Sequence, residues 1–111
     1  MELRLHKDIS ADRWSELTLE EQLGNVGSEV SRLMNWQSKD DKIQSERAFE
    51  RLLELMDLTI NDQRWTSCRR ELTRTREVLC DAYFGGHEYN GSWTDLDKYF
   101  MHFALAARKN L

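Results

Sequence analysis

Residues 18–37 read TLEEQLGNVGSEVSRLMNWQ, and this stretch decides the fold. Thr18, with Glu21 three places on, forms a capping box: the hydroxyl accepts from an early helical amide, and the carboxylate returns the bond. The apolar residues that follow are Leu19, Leu23, Val26, Val30, Leu33 and Met34. At the helical period they lie within about 100° of arc, the width of one core-facing stripe. The segment is therefore an amphipathic helix that must bury one face against other elements.

Working outward, SKDDK is a polar connection, and a second helix follows over residues 43–60. Its apolar face is Ala48, Phe49, Leu52, Leu53, Leu55, Met56 and Ile60. A polar turn at Asn61, Asp62 and Gln63 leads to a third helix over residues 64–84. Its inward residues are Trp65, Cys68, Leu72, Thr75, Leu79 and Tyr83, and Gly85-Gly86 supplies the stop. Ser92 caps a fourth helix with Asp95 three residues on. That helix turns Trp93, Leu96, Tyr99, Phe100, Phe103, Ala104, Ala107 and Leu111 inward. Arg108 and Lys109 suit the negative end of its dipole.

Four long helices with short connections predict an all-α chain, an antiparallel up-down four-helix bundle over residues 18–111. Residues 1–17 precede it as a short arm or helix: Leu3, Leu5 and Ile9 alternate, and Trp14 and Leu17 face inward from ADRWSEL. Up-down order would put Trp36 and Trp93 at one end of the core, and Trp14 and Trp65 at the other. The chain has 111 residues and no proline, where about five would be ordinary, as long uninterrupted helices require.

Composition excludes several functions. The net charge of −4 argues against nucleic acid and against an anionic membrane surface. No apolar run nears the roughly 18 residues that span a bilayer. The segment MELRLHKDIS lacks a signal peptide's apolar stretch, so a cytoplasmic protein is expected. Cys68 and Cys80, twelve residues apart on one helix, are about 18 Å apart and beyond disulfide reach. No zinc spacing, phosphate loop, nucleophile elbow or dinucleotide fingerprint occurs.

Several constellations remain. Gly24, Gly27, Ser28 and Ser31 form a small-residue stripe beside the apolar face of the first helix. Two mid-helix glycines cost roughly 1 kcal/mol each, so close approach of another helix, in this chain or a second copy, is expected. Met101 and Leu105 lie off the main stripe of the last helix, with Val78 and Leu58 as lesser outliers. A second apolar stripe implies a contact outside the bundle, most simply a homodimer.

Glu29 sits at the edge of its helix's core face, and Arg76 falls on the apolar side of its own; the expectation is that they form a buried ion pair. The basic run Arg64, Arg69, Arg70, Arg74 and Arg76 is interrupted by acids and lacks the interleaved aromatics of a base-stacking surface. Glu46, Glu50, Glu54 and Asp57 share one face of the second helix and read as a solvated charge stripe. The loop over residues 85–91, with His87, Glu88 and Tyr89, reads as a helix stop and a connection.

Two resemblances follow from particular residues. LTLEEQLGNVGSEVSR, ERLLELMDLTI, REVLCDAYFGG and KYFMHFALAAR give residues 17–108 a resemblance to a family of small bacterial helical proteins. It implies a bundle and no activity. Glu54-Leu-Met-Asp57 resembles the second metal-binding pair of MazG-type nucleoside triphosphate pyrophosphohydrolases. That resemblance implies Mg²⁺ held by Glu54 and Asp57, with Glu50 near, and water activated against a phosphate. The family's first pair, E-x-x-E, is missing among Glu20, Glu21 and Glu29. The R-x(4–6)-H motif of helical HEPN ribonucleases is absent at His6, His87 and His102. The sequence thus favours a non-enzymatic helical module, self-associating or docking a protein, with Met101, Leu105, Gly24, Gly27, Ser28 and Ser31 as its contact surface. The phosphohydrolase is the alternative.

Overall fold

The computed structural model describes residues 11–85 and 92–109, which hold five helices and no strand. They are α1 (Ala11–Trp14), α2 (Leu19–Ser38), α3 (Lys42–Ile60), α4 (Arg69–Phe84) and α5 (Trp93–Lys109). Four of them are long. Leu3, Leu5, Ile9, Leu111 and residues 86–91 lie outside the described part.

The caps form as their side chains dictate. Thr18 Oγ1 accepts from the Glu21 amide at 3.1 Å, and the Thr18 amide donates to Glu21 Oε1 at 2.9 Å. Asp41 Oδ1 accepts from the Gln44 amide at 3.0 Å to open α3. Gly85 ends α4 at φ 72°, a left-handed conformation that a side chain would strain. Ser92 Oγ accepts from the Asp95 amide at 3.2 Å to open α5.

The third expected helix is shorter than its periodicity suggests. Residues Gln63–Cys68 form a 3₁₀ segment, and Trp65 leaves helical geometry at φ −107°, ψ 24°. The cause is a side-chain network that draws this segment to the end of the molecule. Gln22 is fully buried and binds three ways: its Nε2 donates to the Trp14 carbonyl at 2.8 Å and to Asp62 Oδ2 at 3.0 Å. Its Oε1 accepts from Trp65 Nε1 at 2.8 Å. Trp14 Nε1 donates to Thr59 Oγ1 at 3.1 Å. Arg64 binds Asp62 and the Leu17 carbonyl, and stacks over the Trp65 ring at 4.5 Å. Its bond holds the Asp62 carboxyl far below the usual carboxylate range, against the opposing effect of burial. Trp14 and Trp65 thus close one end together.

α2 is the central helix. It packs extensively on α3 and on α5, while α4 packs on α3. Leu23, Val26, Val30 and Leu33 of α2 are buried with Ala48, Leu52, Leu55 and Met56 of α3 and Phe100 of α5. Contacts from Gly24 to Ala104, Gly27 to Phe100 and Ser31 to Asp97 run in opposite senses along the two chains, so α2 and α5 are antiparallel. Phe49 of α3 stacks on Tyr83 of α4, ring centroids 3.9 Å apart. α4 and α5 are not a principal packing pair among the described residues. Tyr99, expected inside, is 41% exposed for that reason.

Candidate interaction surface

The small-residue stripe of α2 meets α5 inside the chain. A Cβ at Gly27 would stand 2.7 Å from the Cβ of Phe100, and one at Gly24 would stand 3.2 Å from the Cα of Ala104. Both glycines therefore exist to let α5 seat against α2. Ser31 Oγ fixes the register by donating to Asp97 Oδ1 at 2.8 Å. Outside this seam is a shallow dip of about 190 Å³, lined by Gly24, Gly27, Ser28, Ser31, Met101 and Arg108, among others. Met101 stands at its rim, 49% exposed, and Leu105, one turn on, is 48% exposed. Six residues singled out by sequence thus share one face: two apolar knobs beside a dip floored by small residues. Val78 and Leu58, the weaker outliers, are partly buried against the core.

The expected ion pair between Glu29 and Arg76 does not form. Glu29 is 1% exposed; its Oε2 accepts from Arg32 Nη1 at 2.6 Å, and its Oε1 faces Arg51 Nε at 3.8 Å. Arg76 instead donates from Nε to Asp57 Oδ1 at 2.8 Å, which raises its pKa above the ordinary arginine value. Helix adjacency decides this. α4 lies against α3, whose Asp57 it reaches, whereas Glu29 on α2 faces α3 at Arg51. Arg51 carries no apolar signal of its own, yet it sits one turn from Ala48 and Leu55, at the edge of the inward side of α3. Arg69, the other half-buried arginine, donates from Nε to the Ile60 carbonyl at 3.0 Å.

Several carboxylates of the Mg²⁺ reading have other partners in the structure. Asp57 is engaged by Arg76, Glu21 is held in its capping box, and Glu29 is tied to Arg32. Glu50 is exposed and Glu54 half-buried on α3. Among the described residues, no three His, Cys, Asp or Glu side chains gather as an ion site. Cys68 and Cys80 are free thiols, as their separation requires.

A feature absent from the sequence reading lies between α4 and α5: an open groove of about 1080 Å³. Val78 of α4 and Leu96 and Tyr99 of α5 give it apolar lining, and Arg70 and Arg74 edge it. No described helix is long and apolar enough to cross a membrane. No family model, curated protein or solved structure matches the chain, so its own geometry is what speaks to its function.

Proposed function

We propose that the chain is a non-enzymatic helical interaction module, built as an antiparallel up-down four-helix bundle, that self-associates through the face shared by α2 and α5. The observation that carries this reading is the pairing of exposed Met101 and Leu105 with the adjacent dip at Ser28 and Ser31. A surface holding both a knob and a hole can be complementary to itself across a twofold axis, the commonest oligomer symmetry. A helix of 20 residues is about 30 Å long, and two side by side span roughly 20 Å, giving about 600 Å² per copy. Doubled, that reaches the lower end of specific interfaces, about 1,200 Å² in total.

Sedimentation and light scattering test the proposal. The unaltered chain should run as a dimer at high micromolar concentration, and Met101→Glu with Leu105→Glu as a monomer of unchanged helicity. A monomeric unaltered chain would remove self-association. A dimer indifferent to both substitutions would place the interface elsewhere.

A further inference from the structure

We infer that two copies of the chain meet through α5 in antiparallel register, with Arg108 of each copy against Asp97 of the other and Met101 over Ala104. The inference rests on the self-association proposed above and adds its orientation and register. The face of α5 that lines the dip carries Asp97, Phe100, Met101, Ala104 and Arg108. Asp97 and Arg108 stand at its two ends, roughly 16 Å apart along the helix. A twofold axis that brings residue i to j also brings j to i. The charges and the apolar knobs each fix where such an axis falls. Asp97 and Arg108 exchange about a point midway between residues 102 and 103, and Met101 and Leu105 exchange about residue 103. The two centres differ by under about 1 Å along the helix, so one antiparallel register serves both. In it Met101 meets Ala104, which lies against Gly24, so the knob of one copy stands over the small-residue end of the dip in the other.

Both charges are available for this contact. Arg108 is exposed and makes no hydrogen bond or ion pair among the described residues. Asp97 accepts from Ser31 through Oδ1, which leaves Oδ2 to a second partner. The neighbouring charges lie off this line. Arg32, toward the Asp97 end of α2, is bound to buried Glu29. Glu20, one turn before Gly24, is outside the lining of the dip. Lys98 and Lys109 stand about 60° and 80° round α5 from Met101, on the side away from Asp97 and Arg108, and do not line the dip either. In this register they fall level with Ala107 and Leu96, neither of them charged. A parallel pair would set Asp97 on Asp97 and Arg108 on Arg108, so charge selects the antiparallel one.

Charge reversal tests the register by sedimentation equilibrium on the full chain, with circular dichroism to confirm unchanged helicity. Arg108→Asp, at an exposed position with no bond to lose, should weaken the homodimer at least about tenfold, since two pairs turn from attraction to repulsion. Asp97→Lys should do the same. Mixed in equal amounts, the two variants should form a heterodimer about as tight as the unaltered homodimer, because every contact then joins unlike charges. An Arg108→Asp homodimer as tight as the unaltered one overturns the register; a parallel pair would behave that way. A mixture of helical variants no tighter than either alone overturns it too. In both cases a dimer that Met101→Glu with Leu105→Glu still dissociates leaves self-association standing, whereas a monomeric unaltered chain removes both readings.

Discussion

Replacing Gly27 by alanine sets two effects of known sign against each other. In a helix interior alanine is favoured over glycine by roughly 1 kcal/mol. Against this, the new methyl would stand 2.7 Å from the Cβ of Phe100. No rotamer of Phe100 relieves that contact, because every residue except glycine keeps a Cβ there. Ordinary carbon contact needs about 3.5–4.0 Å, so α5 must retreat by about 1 Å. A retreat of that size forfeits a quarter to a half of each contact's attraction. Phe100 is fully buried; such a side chain makes some 50 contacts of about 0.15 kcal/mol, about a third of them toward α2. Its loss is then about 1 kcal/mol, and the residues that move with it bring the total toward 2 kcal/mol, within the usual range for overpacking. The expected net result is destabilisation by about 1 kcal/mol, a melting temperature lower by about 5 °C. Gly24→Ala shares the propensity gain but meets Ala104 at 3.2 Å, so it should be nearly neutral. The difference between the two variants in urea unfolding removes propensity and isolates packing. A Gly27→Ala protein as stable as Gly24→Ala would refute the close seating of α5 on α2.

Further outcomes are fixed by the polar groups. Glu29→Ala leaves Arg51 half-buried without its carboxylate and should cost on the order of 3 kcal/mol in urea unfolding, whereas Arg76→Ala, at a solvated pair, should cost under about 1 kcal/mol. The reverse order would restore the pairing of Glu29 with Arg76. Gln22→Leu strands the Trp65 indole N–H and removes one of the two bonds to the Trp14 carbonyl; a loss of about 2 kcal/mol is expected, read by melting and by tryptophan fluorescence. Asp62 has a folded pKa below its unfolded one, so its stabilisation is complete above about pH 4 and is lost as pH falls through the lower value. Asp62→Asn should therefore flatten the acid limb of stability below about pH 4 while leaving the slope at neutral pH unchanged.

Element identity was legible because α2, α3 and α5 each carry a broad apolar stripe with caps at the ends. Leu23, Val26, Val30 and Leu33 fall inside as their spacing requires, as do Ala48, Leu52, Leu55 and Met56. The glycine stripe was legible as a close approach, since only a neighbouring backbone repays two mid-helix glycines. What periodicity could not convey was which helices touch. The partner of Glu29 depends on α2 facing Arg51 rather than α4, and that is a fact of packing order. The 3₁₀ start before α4 was likewise hidden. Trp65 and Cys68 keep helical spacing with Leu72, yet the bond from Trp65 to Gln22 outweighs local helix propensity.

The apolar arc of a helix bears on how many neighbours it can have. A helix enclosed between two neighbours needs an apolar arc wide enough for both. On α2 the arc is about 100°, and α2 has two neighbours, α3 and α5. On α4 the inward residues Leu72, Leu79 and Tyr83 lie within only about 40° of one another. Val78 and Ala82 extend that stripe on one flank and Cys80 on the other, each partly buried against the core. Among the described residues the principal neighbour of α4 is α3. On α5 the stripe of Leu96, Phe100 and Phe103 continues to Tyr99, which is 41% exposed at the groove. Leu96 and Tyr99 of α5 and Val78 of α4 are what put apolar surface in the groove.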